Sequence, residues 1–146
     1  MKMCFMVGHR DANMDVYQKL EVAVNLHIME HGIDEFIIGH YGNFDRMAAR
    51  AVQDAKILHP KVKLTLLRPY LDDYPLPEGF DGSIYPDGLE AVPRRFAILQ
   101  ANHKIIECCT HVIVYVRYTF GGAYQCLEYA RRKKKHILNI NGDSLQ

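Results

Sequence analysis

The sequence feature that most limits the fold is a β-branched, apolar run at residues 110–116 that leads into a glycine pair. Short apolar runs bounded by glycine are typical of buried strands. An amphipathic segment that ends at Lys135 then follows, a pattern typical of a helix. The sequence therefore predicts a strand, a tight turn at Gly121-Gly122 and a helix. Such a turn lets a ligand approach the backbone closely, and the free N–H groups of the helix start favour an anion such as a phosphate.

The same alternation recurs along the whole chain. Further strands are predicted at residues 3–7, 35–39, 62–67 and 136–140, and further helices at residues 14–31, 45–59 and 94–108. Strands that alternate with helices indicate a parallel sheet with right-handed crossovers. We therefore expect an α/β fold: a single Rossmann-like domain over residues 1–146, with a doubly wound parallel sheet of about five strands in the order 3-2-1-4-5 and helices on both faces.

Residues 68–93 interrupt this alternation. The segment contains five of the six prolines, and its pattern predicts an irregular loop insertion. Loops of this length are either functional covers or disordered segments. Its aromatic residues indicate that parts of it pack against the domain, where it would cover a site.

Charge and cysteine content exclude several classes of function. The formal net charge of +1 gives no reason to expect a nucleic acid as the main partner, and the basic run at residues 131–135 is interpreted as a solvated helix end. No apolar run approaches the roughly 20 residues of a membrane span. Cys4, Cys108, Cys109 and Cys126 match neither a CxxC nor a zinc spacing, so we expect reduced thiols in a cytoplasmic protein without a metal or cofactor.

Three turns are predicted to meet at one edge of the sheet. In the order 3-2-1-4-5 the chain reverses direction between the first and fourth strands, and ligands of such sheets bind there, outside the carboxyl ends of the strands. The turns at residues 8–10 and 120–122 flank this switch point, and the turn at residues 39–45 lies one strand over. We therefore expect a site for a charged small molecule at this edge.

Each side chain in these turns has a functional and a structural interpretation. Arg10 would either neutralise a phosphate or lie on the surface of its turn. His9 would either contact a sugar or base or pack within the turn. Asp45 fits the N-cap of the second helix, from which its carboxylate would also reach a ribose hydroxyl.

Glu128 is the candidate catalytic residue. It lies in the second turn of the last helix, and helical side chains lean toward the N-terminus of their helix. Glu128 would then face the ligand as a general base or as a stabiliser of an oxocarbenium charge. The alternative is an exposed ion pair with Arg132 at i+4.

A competing pattern is found at residues 27–31, whose sequence His-Ile-Met-Glu-His fits the zinc motif H-x-x-E-H. Two histidines at i and i+4 can share a metal ion. However, they lie in the last turn of a helix that ends at Gly32, on the opposite edge from the three turns. No third ligand can be assigned, so we expect no metal site there.

With these residues identified, the chain resembles the SLOG superfamily of Rossmann-like domains, which includes the Lonely Guy phosphoribohydrolases, the DNA-processing protein A domain and the small bacterial YpsA-like proteins. The resemblance is carried by residues 4–10, 39–48, 121–123 and 129–130, and is greatest to the YpsA-like proteins. Asn102 also resembles a position that YpsA-like members use. The resemblance implies a nucleotide-derived ligand at the glycine turn, and a homodimer for which the sequence identifies no interface.

The Lonely Guy motif P-G-G-x-G-T-x-x-E is matched in part. Gly121, Gly122 and Glu128 match its two leading glycines and its glutamate. Phe120, Tyr124 and Gln125 replace its proline, third glycine and threonine. The resemblance therefore implies ligand binding rather than hydrolysis.

We expect from the sequence a protein that binds a nucleotide-like small molecule at the switch point. The alternative is an N-glycosidic hydrolase of nucleoside monophosphates with Glu128 as its catalytic carboxylate. Neither a membrane nor direct nucleic-acid binding is expected. The expected ligand-binding residues are Gly8, His9, Arg10, Gly39, Gly42, Asp45, Asn102, Gly121, Gly122 and Ala123.

Overall fold

Six parallel strands form one sheet in this computed structural model, which describes residues 1–142. The strands are β1 (Met3–Gly8), β2 (Glu35–Ile38), β3 (Lys63–Leu67), β4 (Gly82–Ile84), β5 (His111–Tyr115) and β6 (His136–Asn139). The α-helices are α1 (Val16–His31), α2 (Asn43–Ala55), α3 (Ala97–Cys108) and α4 (Gly122–Arg132), and two 3-10 helices lie at Leu89–Ala91 and Arg94–Phe96. The last four residues of the expected domain lie outside the described part.

The strand order is β4-β3-β2-β1-β5-β6. The α/β class, the parallel sheet and the relative order of the five predicted strands are confirmed. The sixth strand, β4, lies inside the segment that was predicted to be irregular. It pairs with β3 at the sheet edge, and the N–H of Arg68 donates to the carbonyl of Ile84 at 2.8 Å. Ladder hydrogen bonds thus hold this three-residue strand, which has no alternating apolar pattern of its own.

Helices cover both faces of the sheet. Cys4 and Met6 of β1 belong to the core under α1 and α2, whereas Phe5 between them belongs to the core under α3 and α4. Successive side chains of a strand point to opposite faces, so an unbroken apolar strand supplies both cores. This double burial is why the strands were recognisable from short apolar runs.

Helix starts differ from the prediction where turn geometry decides them. Helix α2 begins at Asn43 with Gly42 as its N-cap, so the assignment of Asp45 as N-cap is wrong. Helix α4 begins at Gly122 and ends at Arg132, three residues before the predicted end. Gly32 ends α1 as predicted, with the left-handed φ of +67° that glycine adopts without strain.

Candidate functional site

The ends of β1 and β5 lie side by side at the switch point. Gly8 is in register with Tyr115, and the N–H of His9 donates to the carbonyl of Tyr115 at 3.2 Å. The turn after β2 joins them, because the N–H of Asn43 donates to the carbonyl of Arg10 at 3.0 Å. The structure thus brings the three turns together at one edge of the sheet.

His9 fixes the loop that follows β5. Its Nε2 accepts hydrogen bonds from the backbone N–H groups of Arg117 at 2.9 Å and Tyr118 at 3.4 Å. The neutral ring therefore carries its proton on Nδ1. Burial lowers the pKa of His9, whose residue is only 8% exposed. His9 is thus a positioning residue inside the turn, as in the structural interpretation of the sequence.

Three neighbouring rings extend from this turn toward solvent, and we call His9, Tyr118 and Phe120 the aromatic arm. The ring centroids of His9 and Tyr118 are 4.3 Å apart, and those of Tyr118 and Phe120 are 5.2 Å apart at an interplanar angle of 12°. Phe120 is 69% exposed. The arm therefore presents a flat aromatic face directly before the glycine pair.

Arg117 lies beside the aromatic arm. Its guanidinium carbon is 5.0 Å from the ring centroid of Tyr118, and it forms an ion pair with Asp11 at 3.7 Å. The hydroxyl of Tyr118 also donates to Asp11, at 3.0 Å. Arg117, Tyr118 and Phe120 were not among the predicted ligand residues. The signal that would have identified them is two aromatic residues and an arginine directly after a buried strand, where a turn normally has small polar residues.

The glycine pair leaves the start of α4 open. Gly121 has a φ of +92°, and a Cβ built on either glycine would meet no atom within 4 Å. No side chain caps the N-terminus of α4. Free N–H groups at a helix start attract anions, so this is the part of the edge best suited to a phosphate. Ala123 is buried, and its side chain faces the core rather than the edge.

The other predicted glycines serve packing within the protein. A Cβ on Gly8 would lie 2.5 Å from the ring of Phe44, and one on Gly42 would lie 2.6 Å from the Cα of Arg10. A Cβ on Gly39 would lie 3.1 Å from the ring of Tyr41. Their lack of a side chain is therefore explained without a ligand.

Arg10 and Asp45 both contact the turn after β2. The guanidinium carbon of Arg10 lies 5.8 Å from the ring centroid of Tyr41, and the side chain is exposed without an ion pair among residues 1–142. The carboxylate of Asp45 accepts a hydrogen bond from the N–H of Tyr41 at 2.9 Å. Burial raises the pKa of Asp45 to about 6 and that of Tyr41 to about 12. Asp45 thus stabilises the turn, and Arg10 is available to an anion.

Asn102 and Glu128 have their side-chain partners on α4. The side chain of Asn102 hydrogen-bonds to the thiol of Cys126 between α3 and α4. Glu128 is partly exposed and forms an ion pair with Arg131 at 2.6 Å, at i+3 rather than the i+4 expected for Arg132. The ligand contact predicted for Asn102 and the catalytic role predicted for Glu128 stay predictions.

Two hollows adjoin the turn after β2. A cavity of about 140 Å³ is lined by His40, Tyr41, Gly42 and Arg46. A larger groove of about 1090 Å³ lies between α1, α2 and residues 77–80, and His40, Asn43 and Arg46 also line it. Across the described part of the chain, no three His, Cys, Asp or Glu side chains are arranged to hold a metal ion. None of the helices in residues 1–142 has the length and hydropathy needed to cross a membrane.

Comparison with known proteins gives structural neighbours alone. No protein-family model and no curated protein matches the sequence. DNA processing protein A from Streptococcus pneumoniae matches with a TM-score of 0.68 and 19% identity, over 94% of this chain and 49% of that one. DNA processing protein A from Helicobacter pylori, described for its single-stranded DNA binding mode, matches with a TM-score of 0.64 and 18% identity, over 93% and 63%. The chain thus shares a Rossmann-like fold with these two proteins.

The chain spans about half of the Streptococcus protein and less than two thirds of the Helicobacter protein. These neighbours correct two expectations. The expectations of a small nucleotide as ligand or hydrolase substrate, and of no direct nucleic-acid binding, were wrong. The two solved structures are DNA processing proteins, and one of them is described for its single-stranded DNA binding mode. The sequence-based argument failed because it took the total charge as a guide to the local surface.

Proposed function

We propose that this chain binds single-stranded DNA at the carboxyl-end edge of its sheet. The observation that carries the proposal is the exposed face of Phe120, stacked on Tyr118 directly before the uncapped start of α4. Sequence-tolerant binders of single strands combine such aromatic faces with cations that follow the backbone. The aromatic arm would stack a base, and the N–H groups at Gly122 would hold the adjacent phosphate.

Arg10 and Arg117 would supply the positive charge. Both are exposed at the edge, and the ion pair of Arg117 with Asp11 is 3.7 Å long and open to solvent. Exposed ion pairs are weak, so a phosphate can replace the carboxylate at little cost. Base pairs in a duplex cover both faces of each base, whereas an unpaired base is free to stack. The arrangement therefore favours a single strand over a duplex.

The fold relationship supports the same proposal without deciding it. Both structural neighbours are DNA processing proteins, and the Helicobacter protein is described as binding single-stranded DNA. We further propose a single SLOG-like domain over residues 1–146, related to the YpsA-like proteins through residues 4–10 and 39–48, in a cytoplasmic protein. The free cysteines of the described chain agree with that location.

The test is fluorescence anisotropy with labelled oligothymidylate at low salt, comparing the wild type with Phe120→Ala. Loss of one stacked base costs about 1–3 kcal/mol, which corresponds to a roughly 5- to 150-fold weaker Kd. Phe120→Trp should restore binding. Tyr74→Ala is the matched control, because Tyr74 is 76% exposed but lies in the 68–93 segment. Unchanged binding by Phe120→Ala, or equal binding of duplex and single strand, would refute the proposal.

A further inference from the structure

Five consecutive cations lie at the end of α4 and directly after it, and we call Arg131, Arg132, Lys133, Lys134 and Lys135 the basic end. The first four are exposed. Arg131 is paired with Glu128, and Nζ of Lys135 donates to the carbonyl of Glu107 at 3.2 Å. Arg132, Lys133 and Lys134 have no ion pair with any described residue. Three like charges without an ion-pair partner among the described residues thus lie together, and the carboxylate of Glu107, bonded to Tyr129, is the acidic group beside them.

An ordered aromatic ring lies among these cations. Tyr129 stacks on His103 with ring centroids 3.9 Å apart and an interplanar angle of 5°. The cationic groups of Arg132 and Lys133 each lie 5.4 Å from the centroid of Tyr129, and its hydroxyl bonds to Glu107. The ring and both cations are therefore held in one place, which lowers the entropy cost of binding an anion there.

The backbone at the basic end is strained. Lys134 has a φ of +57°, and it is the one non-glycine residue with positive φ within residues 1–142. Helices commonly end with glycine in this conformation, and a side chain there costs free energy. The helix dipole favours a cation or two in the last turn, but adjacent cations repel each other. The sequence thus keeps positive charge where neutral glycine would be more stable, which points to a function for the charge.

We infer that the basic end is a second contact for the phosphates of a single strand whose bases lie on the aromatic arm. This inference rests on the proposed function. Helix α4 runs from the carboxyl-end edge of the sheet to the opposite edge, and its 11 residues span about 16 Å. A stacked strand rises about 3.4 Å per nucleotide, so roughly five nucleotides cover that length. Arg131 is already paired, so Glu128 adds little repulsion along the path.

We predict that the basic end contributes to the binding of a long oligonucleotide and not to the binding of a short one. We would titrate two oligothymidylates, of about 4 and about 15 nucleotides, over a salt series. The variant carries Arg132→Gln, Lys133→Gln and Lys134→Gln. For the long oligonucleotide its slope of log K against log salt should be smaller by about 2, because each phosphate contact contributes about 0.7. Binding of the short oligonucleotide should be unchanged.

A charge-matched control separates a local contact from the loss of total charge. Lys19→Gln, Lys61→Gln and Lys63→Gln together remove three exposed cations outside α4 and should leave the slope at the wild-type value. Lys134→Gly should raise the melting temperature and still weaken binding of the long strand, which a purely structural role would not produce.

The outcomes distinguish this inference from the proposed function. Wild-type affinity and slope of the triple variant for the long strand would overturn the inference, even if the short strand still depends on Phe120. If the triple variant loses binding to vesicles that contain phosphatidylserine but binds DNA as the wild type does, the inference is overturned in favour of a membrane contact. If the triple variant weakens long-strand binding but Phe120→Ala has no effect, the basic end is supported and the aromatic arm is refuted. If the wild type binds neither oligonucleotide, both the inference and the proposed function are refuted.

Discussion

Acid should destabilise this protein through a cluster of four histidines at the edge of the sheet opposite to the aromatic arm. We call His27, His31, His111 and His136 the histidine cluster. The ring centroid of His111 lies 5.6, 4.9 and 4.7 Å from those of His27, His31 and His136. His27 and His111 are 2% and 5% exposed. The cluster joins the end of α1 to the first residues of β5 and β6, so protonation would place repelling charges in the core.

Burial is the main cause of the pKa shifts in the cluster. It lowers the pKa of His27 from 6.5 to about 4, although the hydrogen bond of Nδ1 to the carbonyl of Ala23 opposes the shift. Burial also lowers the pKa of His111 to about 4, and the other three histidines and Lys2 add to that effect. Both rings are therefore neutral in the folded protein at pH 7.

The direction of the pH dependence follows from proton binding. Between pH 6.5 and pH 4 the unfolded chain binds more protons at these two residues than the folded chain does, so stability falls as the pH falls. One pKa unit corresponds to about 1.4 kcal/mol, which gives roughly 3 kcal/mol for each histidine at pH 4. Asp45 acts in the opposite direction, because its raised pKa of about 6 makes the folded state bind the proton first. The net acid curve therefore does not isolate the cluster.

The variant His111→Phe isolates the contribution of the histidine cluster to the pH dependence, because phenylalanine keeps a ring at this position and cannot be protonated. We would measure the free energy of unfolding in urea between pH 7.5 and pH 4.5. The wild type should lose about 2–3 kcal/mol more over this range than His111→Phe. His59→Phe, outside the cluster, should lose as much as the wild type. Parallel pH curves for the wild type and His111→Phe would refute the reasoning.

Two further predictions concern packing and thiol exposure. Gly8→Ala should lower the free energy of unfolding by about 1–3 kcal/mol, because its Cβ would overlap the buried ring of Phe44. Gly122→Ala should leave the melting temperature nearly unchanged, because its Cβ would meet no atom within 4 Å. In the native protein iodoacetamide should modify Cys108 alone by mass spectrometry, since the other three thiols are buried and burial raises their pKa; urea should expose all four. Equal melting temperatures of the two glycine variants, or modification of several native thiols, would contradict these expectations.

The fold was largely predictable because the inner strands β1, β2, β3 and β5 are buried on both faces. Residues 3–7 and 112–116 are continuous apolar runs, which are typical of a parallel sheet with covered faces. Strand β4 was missed because its three residues, Gly82–Ile84, carry no periodic pattern. Its position depends on pairing with β3, which is a contact between distant parts of the sequence.

The meeting of the three turns was also predictable, because parallel strands bring their carboxyl ends to one edge. The roles of the residues in those turns were not. Gly8 and Gly42 resemble ligand-approach glycines in sequence, yet the atoms that require them belong to Phe44 and Arg10. Asp45 matched the composition of an N-cap, but the helix starts two residues earlier. Each error concerns a contact between two turns, which local sequence does not encode.

The total charge of the chain does not show how unevenly its charged residues are distributed. Residues 68–93 contain six acidic residues and one basic residue, a net charge of −5, which leaves +6 on the rest of a chain whose total is +1. The cations without an ion pair at the basic end and the exposed Arg10 belong to that positive remainder. Counterion release depends on the cations that a phosphate backbone touches and not on the sum over the chain. A nearly neutral total therefore gave no ground for excluding a nucleic acid, and the salt slope of binding is the measurement that reports the local charge.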